Sequence, residues 1–327
     1  MLFRACFLLA VGASCLASLV SSSLPLLVVD GFSWAENLAF DGLGSLFVSE
    51  LNRGELHRIW LCGETYCNGV HASGFKGTGG LAVSPDGITL YAGVTFKDKT
   101  HGIISMQTAG NNSSGAYSVI ARDLMAKPNG MQLYNGYFYC TTEGGVIGNG
   151  TVFTVSLETG EERIVHTDLN ADGAWIDGST HRLFIGQVKS MTVAVFDISV
   201  SGPQSAPCLL EGVYPGAGAS FQMPGLQLLD DLTLAAKGGQ LEGADSFSSK
   251  TQLLGADWLG KRLLRFSLDG EVVETIQAPG GVKLKELTSV RWGKGPGFDP
   301  NSVYVTEGGG LTEGVTSRRV VQIPMNV

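Results

Sequence analysis

One unit of sequence recurs six times along the 327 residues, and this repetition constrains the fold more than any other feature. Each copy contains a short polar or small residue, an apolar segment of strand length, a tight turn and a second apolar segment. The copies are ENLAFDGLGSLFVSE from Glu36, GGLAVSPDGITLYAGV from Gly79, NGMQLYNGYFYCTTE from Asn129, DGAWIDGSTHRLFIGQ from Asp172, PGLQLLDDLTLAAKG from Pro224 and TSVRWGKGPGFDPNSVYVTEGG from Thr288. They begin 43 to 64 residues apart, the span of a four-stranded propeller blade of about 40 to 50 residues with insertions. The sequence therefore predicts an all-β fold, a six-bladed β-propeller of four-stranded antiparallel blades.

A third apolar segment follows each of these inner pairs. The third segments are GELHRIWL from Gly54, HGIISMQ from His101, GTVFTVSL from Gly150, MTVAVFDI from Met191, KRLLRFSL from Lys261 and RRVVQIPM from Arg318. Weaker fourth segments follow, such as YSVIARDL and EVVETIQA, but the last blade has none before Val327. The segment LPLLVVD, from Leu24 to Asp30, is a spare strand ahead of the first copy. We expect it to pair with the last blade and close the ring, which removes the exposed edges.

The N-terminal residues indicate where the protein acts. Residues 1–23 place one Arg ahead of an apolar run and end in small residues, the layout of a secretory signal peptide. Residues 24–327 then form a single propeller domain, and an uncleaved anchor is the alternative. We expect a secreted, extracellular monomer with no membrane association after cleavage. Since 22 Lys and Arg face 30 Asp and Glu, for a net charge of −8, we expect no binding to nucleic acid.

Secretion changes how the cysteines are interpreted. Four remain after the signal: Cys62, Cys67, Cys140 and Cys208. Cys62 and Cys67 lie in LCGETYC between two predicted strands, and we expect them to form a disulfide. Cys140 and Cys208 are either bridged or buried, and the sequence does not choose between these. A zinc site at these cysteines is not expected, because no second close Cys or His pair completes it.

Three triplets match the acceptor pattern for N-glycosylation. They begin at Asn111, Asn112 and Asn149, each in a polar, Gly-rich segment between predicted strands. In a secreted chain such segments are exposed, so these residues are predicted glycosylation sites.

The longest insertions identify the functional face. They are predicted to follow the second strand of a blade: around Asp98, after Glu143, after Lys237 and after Glu307. Such connections return to the face of the ring on which the innermost strands begin. Since binding residues concentrate in long loops on a rigid scaffold, we expect the functional face to be this one.

One aligned position could carry chemistry. It holds the first residue of each copy: Glu36, Gly79, Asn129, Asp172, Pro224 and Thr288. Innermost strands line the central tunnel of a propeller, so these side chains are predicted to converge. Two carboxylates close together repel unless a cation holds them, and carboxylate and carboxamide oxygens suit calcium. The alignment predicts a divalent metal, calcium, in the tunnel.

These motifs resemble the senescence marker protein/gluconolactonase group of six-bladed propellers, the regucalcin-like lactonases. The resemblance spans the mature chain and rests on Glu36 in WAENLAFD, Asn129-Gly130 in KPNGMQLYNG, Asp172-Gly173 in NADGAWIDG and the TSV of Thr288-Ser289-Val290. It implies a divalent metal, usually calcium, that polarises the carbonyl or phosphoryl oxygen of a lactone or ester. Carried over, the metal ligands are Glu36, Asn129 and Asp172, and Asp172 is the catalytic base.

The chain departs from that family in two blades. The family commonly has Asn in the fourth blade and Asp in the fifth, whereas this alignment gives Asp172 and Pro224. Either the acid has moved by one blade or a ligand has been lost.

A second set of acids recurs at the C-terminal ends of the second predicted strands, at Glu50, Glu143 and Glu307. They are expected either to support the metal ligands or to form ion pairs. Thr288 is expected to hydrogen-bond to the backbone rather than to bind metal.

The leading hypothesis is a secreted metal-dependent hydrolase that acts on a small-molecule lactone or ester. One alternative is a strictosidine synthase-like propeller, which works without the metal. Another is a non-catalytic propeller whose loop face binds a glycan or a protein, which Pro224 favours as the mark of a lost site. The sequence contains no G-x-S-x-G, H-E-x-x-H or phosphate-binding loop motif.

Overall fold

The computed structural model describes residues 26–109, 116–142, 150–187, 192–198, 208–209, 229–235, 252–267, 272–276, 283–308 and 318–325. These residues form 24 strands and no helix. The strands make six antiparallel sheets of four strands each. The predicted six-bladed propeller is therefore confirmed.

Each blade runs from an inner to an outer strand. Blade 1 contains β2 (Ala35–Phe40), β3 (Ser45–Glu50), β4 (Glu55–Cys62) and β5 (Thr65–Ala72), and blade 2 contains β6 (Gly77–Val83), β7 (Thr89–Thr95), β8 (His101–Gln107) and β9 (Ser118–Leu124). Blade 3 contains β10 (Met131–Tyr134), β11 (Tyr137–Thr142), β12 (Gly150–Ser156) and β13 (Glu162–Leu169), and blade 4 contains β14 (Ala171–Asp177), β15 (Arg182–Gln187), β16 (Thr192–Asp197) and β17 (Cys208–Leu209). Blade 5 contains β18 (Leu229–Leu234), β19 (Gln252–Asp257), β20 (Arg262–Ser267) and β21 (Val272–Ile276), and blade 6 contains β22 (Leu287–Trp292), β23 (Ser302–Glu307), β24 (Arg319–Pro324) and β1 (Leu26–Asp30).

The N-terminal strand closes the ring, as predicted. β1 pairs with β24 in antiparallel register, with Leu27 opposite Val321 and Asp30 opposite Arg319. Val28 faces inward and is buried against the apolar side chains of blades 1 and 6. The outer edge of blade 6 is thus covered by a strand from the other end of the chain.

Apolar side chains between neighbouring blades hold the ring together. Period-two alternation along the strands directs one set of side chains to each face of every blade. The apolar sets of blades 1 and 2 meet in one cluster that includes Phe47, Leu56, Leu81 and Leu90. Close packing of this kind resists local movement, so it fixes the inner strands around the tunnel.

The fifth blade corrects the sequence alignment. The alignment begins its inner strand at Pro224, but the structure places this strand at Leu229–Leu234, paired with Gln252–Asp257. Pro224 lies outside the described residues. The Asp-Asp pair of LDDLTL suggested a turn, whereas Asp231 is buried within the strand. The insertion after Lys237 therefore joins the first strand to the second, not the second to the third as predicted, and residues 236–251 lie outside the described residues.

We call the face on which the inner strands begin the upper face. The connections from second to third strands return to it, among them the short turns at 51–54, 96–100 and 258–261. The insertion at Asp98 lies on this face, as predicted. The connections after Glu143 and Glu307 also join second to third strands, and residues 143–149 and 309–317 lie outside the described residues.

The predicted disulfide is present. It joins Cys62 at the end of β4 to Cys67 in β5, with the two Cα atoms 5.7 Å apart. It crosslinks the β4–β5 hairpin itself rather than a loop between strands. Cys140 is a free, fully buried thiol in β11, so the alternative of a bridge to Cys208 is not realised.

Several predictions fall on residues that the structure does not describe. The signal peptide at 1–23 and the glycosylation sites at Asn111, Asn112 and Asn149 lie outside the described residues. Within the described part of the chain, no helix is long and apolar enough to cross a membrane.

Candidate functional site

The strand register identifies equivalent residues at the upper ends of the inner strands. Blade 2 pairs Gly77 with Thr95, the first residue of its inner strand with the last of its second, and its register shifts after the next pair. Blades 1, 4, 5 and 6 pair these two ends likewise: Ala35 with Glu50, Ala171 with Gln187, Leu229 with Asp257 and Leu287 with Glu307. A shift in register follows each of these pairs. The residue directly after the pair is Glu36, Asp172, Asp230 and Thr288, respectively.

Asp230 is the residue that the sequence alignment missed. It occupies the fifth-blade position that the alignment gave to Pro224, and it adds a third carboxylate to the set. The sequence signal that could have found it is the segment QLLGAD, which is as long as LDDLTL and becomes its partner strand. We call Glu36, Asn129, Asp172 and Asp230 the tunnel column.

A contact between blades 1 and 3 draws Glu36 towards Asn129. Asn37, next to Glu36, donates a hydrogen bond from Nδ2 to the carbonyl oxygen of Asn129, at 3.1 Å. Blade 2 lies between them and contributes only Gly79 and Gly80. A Cβ on Gly80 would lie 2.6 Å from the carbonyl oxygen of Asn129, so a side chain there would force the strands apart. The glycines let two non-adjacent blades meet.

Asn129 and Asp172 are in direct contact. Nδ2 of Asn129 donates a hydrogen bond to Oδ1 of Asp172, and both residues are buried. A Cβ on Gly130 would lie 2.4 Å from the carbonyl oxygen of Asp172, so this approach requires glycine. The predicted ligands of blades 3 and 4 thus share one small volume.

The same arrangement joins blade 4 to blade 5. A Cβ on Gly173 would lie 2.7 Å from the carbonyl oxygen of Asp230 and 2.5 Å from Cα of Asp231. Asp230 is therefore beside the strand that carries Asp172. It is partly exposed, whereas Asp172 is buried.

Hydrogen bonds from blade 6 complete the ring. Thr288 donates from Oγ1 to the carbonyl oxygen of Ala35, at 2.7 Å, as its predicted backbone role requires. Thr306 donates to the carbonyl oxygen of Glu36, also at 2.7 Å. Across the next boundary, Asp231 accepts hydrogen bonds from Ser289, at 2.5 Å, and from Val290, at 3.2 Å. These buried hydrogen bonds fix the positions of the inner strands along the tunnel axis.

Aromatic and cationic side chains surround Glu36 on the upper face. Trp34 donates from Nε1 to Oε2 of Glu36, at 2.5 Å. The Arg318 guanidinium lies 5.7 Å from the centre of the Trp34 ring, and the Trp258 ring lies 6.5 Å from it. These residues offer apolar surface and positive charge beside the column.

Lys127 is a second residue that the sequence did not single out. Its side chain lies against Gly79, where a Cβ would be 3.1 Å from Cε, so it uses the space that blade 2 leaves open. Nζ donates to the carbonyl oxygen of Thr78, at 3.2 Å. Partial burial lowers the pKa of His101 on the same face, and the Lys127 charge lowers it further. In the sequence, the one feature that could have pointed to Lys127 is its position two residues before Asn129.

The acids at the ends of the second strands accept hydrogen bonds from the segments that lead into the inner strands. Glu50 accepts a hydrogen bond from the Ser33 amide at 2.7 Å, and Glu307 accepts one from the Lys285 amide at 2.9 Å. Arg319 adds an ion pair to Glu307, with Nε 2.6 Å from Oε2. Both carboxylates are fully buried. Glu143, predicted at the same position, lies outside the described residues.

The donors of the tunnel column suit a hard divalent cation. Three carboxylates and one carboxamide come from four blades, and three of these four side chains are buried. Asn129 and Asp172 contact each other directly, and a set made only of oxygen donors is typical of calcium. The column and its neighbours thus combine acids, amide and ammonium groups, and aromatic surface.

Solved structures of other proteins share the fold of this chain. Regucalcin from Agrobacterium tumefaciens, a calcium-binding protein, is 14% identical with a TM-score of 0.63, over 93% of this chain and 94% of that one. The chain has the fold of the regucalcin and gluconolactonase propellers. A gluconolactonase from Xanthomonas campestris is 12% identical with a TM-score of 0.62, over 94% of this chain and 93% of that one.

Propellers of other chemistry are nearly as similar. The PQQ-bound aldose sugar dehydrogenase from Streptomyces coelicolor is 16% identical with a TM-score of 0.60, over 92% of this chain and 97% of that one. No protein-family model and no curated protein sequence matches the chain. At these identities the likeness establishes the fold, and function has to be argued from the site.

Proposed function

We propose that the protein is a divalent-metal-dependent hydrolase that acts on lactones or related esters at the upper end of the tunnel. The observation that carries this proposal is the register of blade 5, which supplies Asp230 as the fourth member of the column. Glu36, Asn129, Asp172 and Asp230 would hold the metal, and their oxygen donors favour calcium. The regucalcin-like and gluconolactonase propellers with the same fold support the assignment.

Each group around the column has a task in this chemistry. When bound, the metal supplies Lewis acidity towards the carbonyl oxygen of the substrate. Asp172 is the predicted base that accepts a proton from water, and Asp230, the more exposed carboxylate, is the second candidate. The Lys127 ammonium would bind an anionic or carbonyl oxygen of the substrate. Trp34 and Trp258 would pack against its apolar part.

The alternatives lose their main support. The non-catalytic reading rested on Pro224 as a lost ligand, and Asp230 takes that position in the register. A strictosidine synthase-like, metal-free propeller does not require three carboxylates in one column. We also propose that the chain is secreted, on the basis of its N-terminal segment and its disulfide.

Calcium dependence and turnover of the whole protein test the proposal together. Removal of calcium with EGTA should lower the melting temperature, and added calcium should restore it. At a hundredfold excess of calcium over its dissociation constant, the free energy of unfolding should rise by about 2.7 kcal/mol. Glu36→Gln should weaken calcium binding and lactone hydrolysis together, because it removes a charged ligand. Asp172→Asn keeps an oxygen donor, so it should weaken binding moderately and abolish most hydrolysis.

The matched control is Asp98→Asn, which changes an exposed carboxylate on the same face of the ring. It should leave both measurements unchanged. If chelation and the two column variants leave stability unaltered, and neither lactones nor aryl esters are hydrolysed, the column is structural. The loop face would then be better explained as a binding surface for a glycan or a protein.

A further inference from the structure

A second group of potential metal ligands lies on blade 1, away from the tunnel column. It consists of Glu50 at the end of β3 and of Glu55 and His57 at the start of β4, and we call it the rim cluster. One ligand atom from each residue lies within 4.8 Å of the other two. Nε2 of His57 is 3.4 Å from Oε2 of Glu50 and 3.2 Å from Oε2 of Glu55.

The two separations that involve Nε2 of His57 match those of a metal site. With metal bonds of about 2.0–2.1 Å, tetrahedral coordination places ligand atoms about 3.3 Å apart. One imidazole nitrogen with two carboxylate oxygens is a ligand set typical of zinc, whereas calcium prefers oxygen alone. The rim cluster therefore differs from the tunnel column in the ion that it suits.

The carboxylate of Glu50 supplies an independent observation. Its side chain is fully buried, and Oε1 accepts a hydrogen bond from the Ser33 amide. Oε2, however, accepts no hydrogen bond, although it faces the rim cluster. The half-exposed Arg53 approaches it only to 3.5 Å. A buried carboxylate oxygen without a donor is costly, and a cation between the three ligand atoms removes that cost.

Asn68 orients His57 for metal binding. Nδ1 of His57 lies 3.1 Å from Oδ1 of Asn68 on the neighbouring strand β5. The Asn68 amide oxygen only accepts, so Nδ1 is the donor in this pair. Nε2, which shares a hydrogen bond with Oε2 of Glu55 at 3.2 Å, is the nitrogen that a metal would take. The Phe32 ring packs edge-on against the imidazole, with centroids 5.0 Å apart, and fixes its plane. Metal-binding histidines are commonly held in this way.

We propose that Glu50, Glu55 and His57 form a zinc site in which water completes the coordination. Access is from the side of Glu55, whose side chain is 25% exposed. The ion would join the end of β3 to the start of β4. It would thereby stabilise the turn at 51–54 on the upper face. The site does not depend on the proposed hydrolase activity.

The test uses the purified full chain, stripped of metal with a chelator and titrated with zinc chloride alone. We expect retention of zinc after dialysis and a rise in melting temperature with zinc. His57→Gln and Glu55→Gln should each abolish this retention, and Asn68→Ala should weaken zinc affinity about 10- to 100-fold. Cobalt in place of zinc should show the visible absorption of a four-coordinate site in wild type, and His57→Gln and Glu55→Gln should lack it.

Two controls separate this site from others. His166→Gln removes a histidine of blade 3 that packs against Phe196, and Glu36→Gln alters the tunnel column. Both should retain zinc at the rim. If His57→Gln does not fold, the partly exposed Glu55→Gln carries the test. The proposal is overturned if wild type retains no zinc, or if Glu55→Gln retains as much as wild type. The hydrogen bond between His57 and Glu55 then explains their proximity.

Discussion

The tunnel column and the rim cluster both include glutamates of blade 1, yet they are built differently. Glu36 is aligned by strand register with residues of blades 3, 4 and 5, up to 194 residues away in Asp230. Glu50, Glu55 and His57 lie within eight residues of one another on consecutive strands. The column offers oxygen alone, and the rim includes an imidazole nitrogen. The two regions are thus suited to different ions.

This difference shows how one fold can make two kinds of site. The column exists only when the ring is closed, because its donors converge from separate blades. The rim cluster needs only β3 and β4, with Asn68 from β5 to orient His57. A change in blade packing should therefore affect the column first, and a change in the β4–β5 hairpin should affect the rim first.

The largest expected effect is that of Asp230→Asn on hydrolysis. The substitution keeps an oxygen donor but removes its charge and a candidate base, so kcat/KM for a lactone should fall by about 10²- to 10⁴-fold. Zinc retention at the rim should be unchanged. Steady-state kinetics and zinc analysis check the two halves of the prediction. Full activity in the variant would remove Asp230 from the column.

Gly130→Ala tests whether close blade packing builds the column. The new Cβ would lie 2.4 Å from the carbonyl oxygen of Asp172, which should cost about 3 kcal/mol and displace Asp172 from Asn129. Calcium stabilisation should fall while zinc affinity persists, as measured by thermal melts with each ion. The control is Gly178→Ala, whose Cβ would meet only Tyr134, at 3.5 Å. Equal calcium stabilisation in both variants would contradict the packing argument.

The disulfide should matter for the rim and not for the column. Replacement of Cys62 and Cys67 by Ser should lower the free energy of unfolding by about 2 kcal/mol, because the crosslink closes a short loop. Asn68 follows Cys67, so zinc affinity should fall as the hairpin loosens. Hydrolysis should be retained. Denaturant unfolding, zinc titration and turnover measure these effects. An equal loss of hydrolysis would show that the two regions are coupled.

The smallest expected effect concerns the pKa of His101, which lies near Lys127 on the upper face. Lys127→Met should raise the pKa of His101, because the lysine charge disfavours the imidazolium, and burial should keep the pKa below its ordinary value. Since a lowered pKa in the folded state costs stability as pH falls below about 6.5, the variant should lose less stability in acid. An NMR titration of His101 follows both effects, with Lys97→Met as the control. An unshifted His101 would place Lys127 away from this histidine.

Much of the fold could be predicted from the sequence because each blade repeats a local pattern. Alternating apolar segments and Gly-rich turns gave the third strands and the closing strand β1 correctly. The prediction for the fifth blade failed because Asp230 and Asp231 have the composition of a turn. Pairing with β19 places them in a strand, and the contacts of Asp231 with Ser289 and Val290 hold that strand against blade 6. Burial by a neighbouring blade thus overrode a local preference.

The candidate site could be predicted only in part for the same reason. Glu36, Asn129 and Asp172 precede apolar strands in a shared register, so their alignment was visible. Asp230 was hidden by the error in blade 5. Lys127 lies outside the aligned position, and its place beside the column depends on the space that Gly79 leaves.

The sequence by itself determined the number of blades, the antiparallel strands, the ring closure and the Cys62–Cys67 crosslink, because each depends on a periodic or local pattern. Only the tertiary structure decided that Asp230 belongs to the column and that Oε2 of Glu50 is buried without a donor beside His57. Both depend on contacts between strands. Distances and burial of this kind arise when strands pack, and no pattern along the chain encodes them directly.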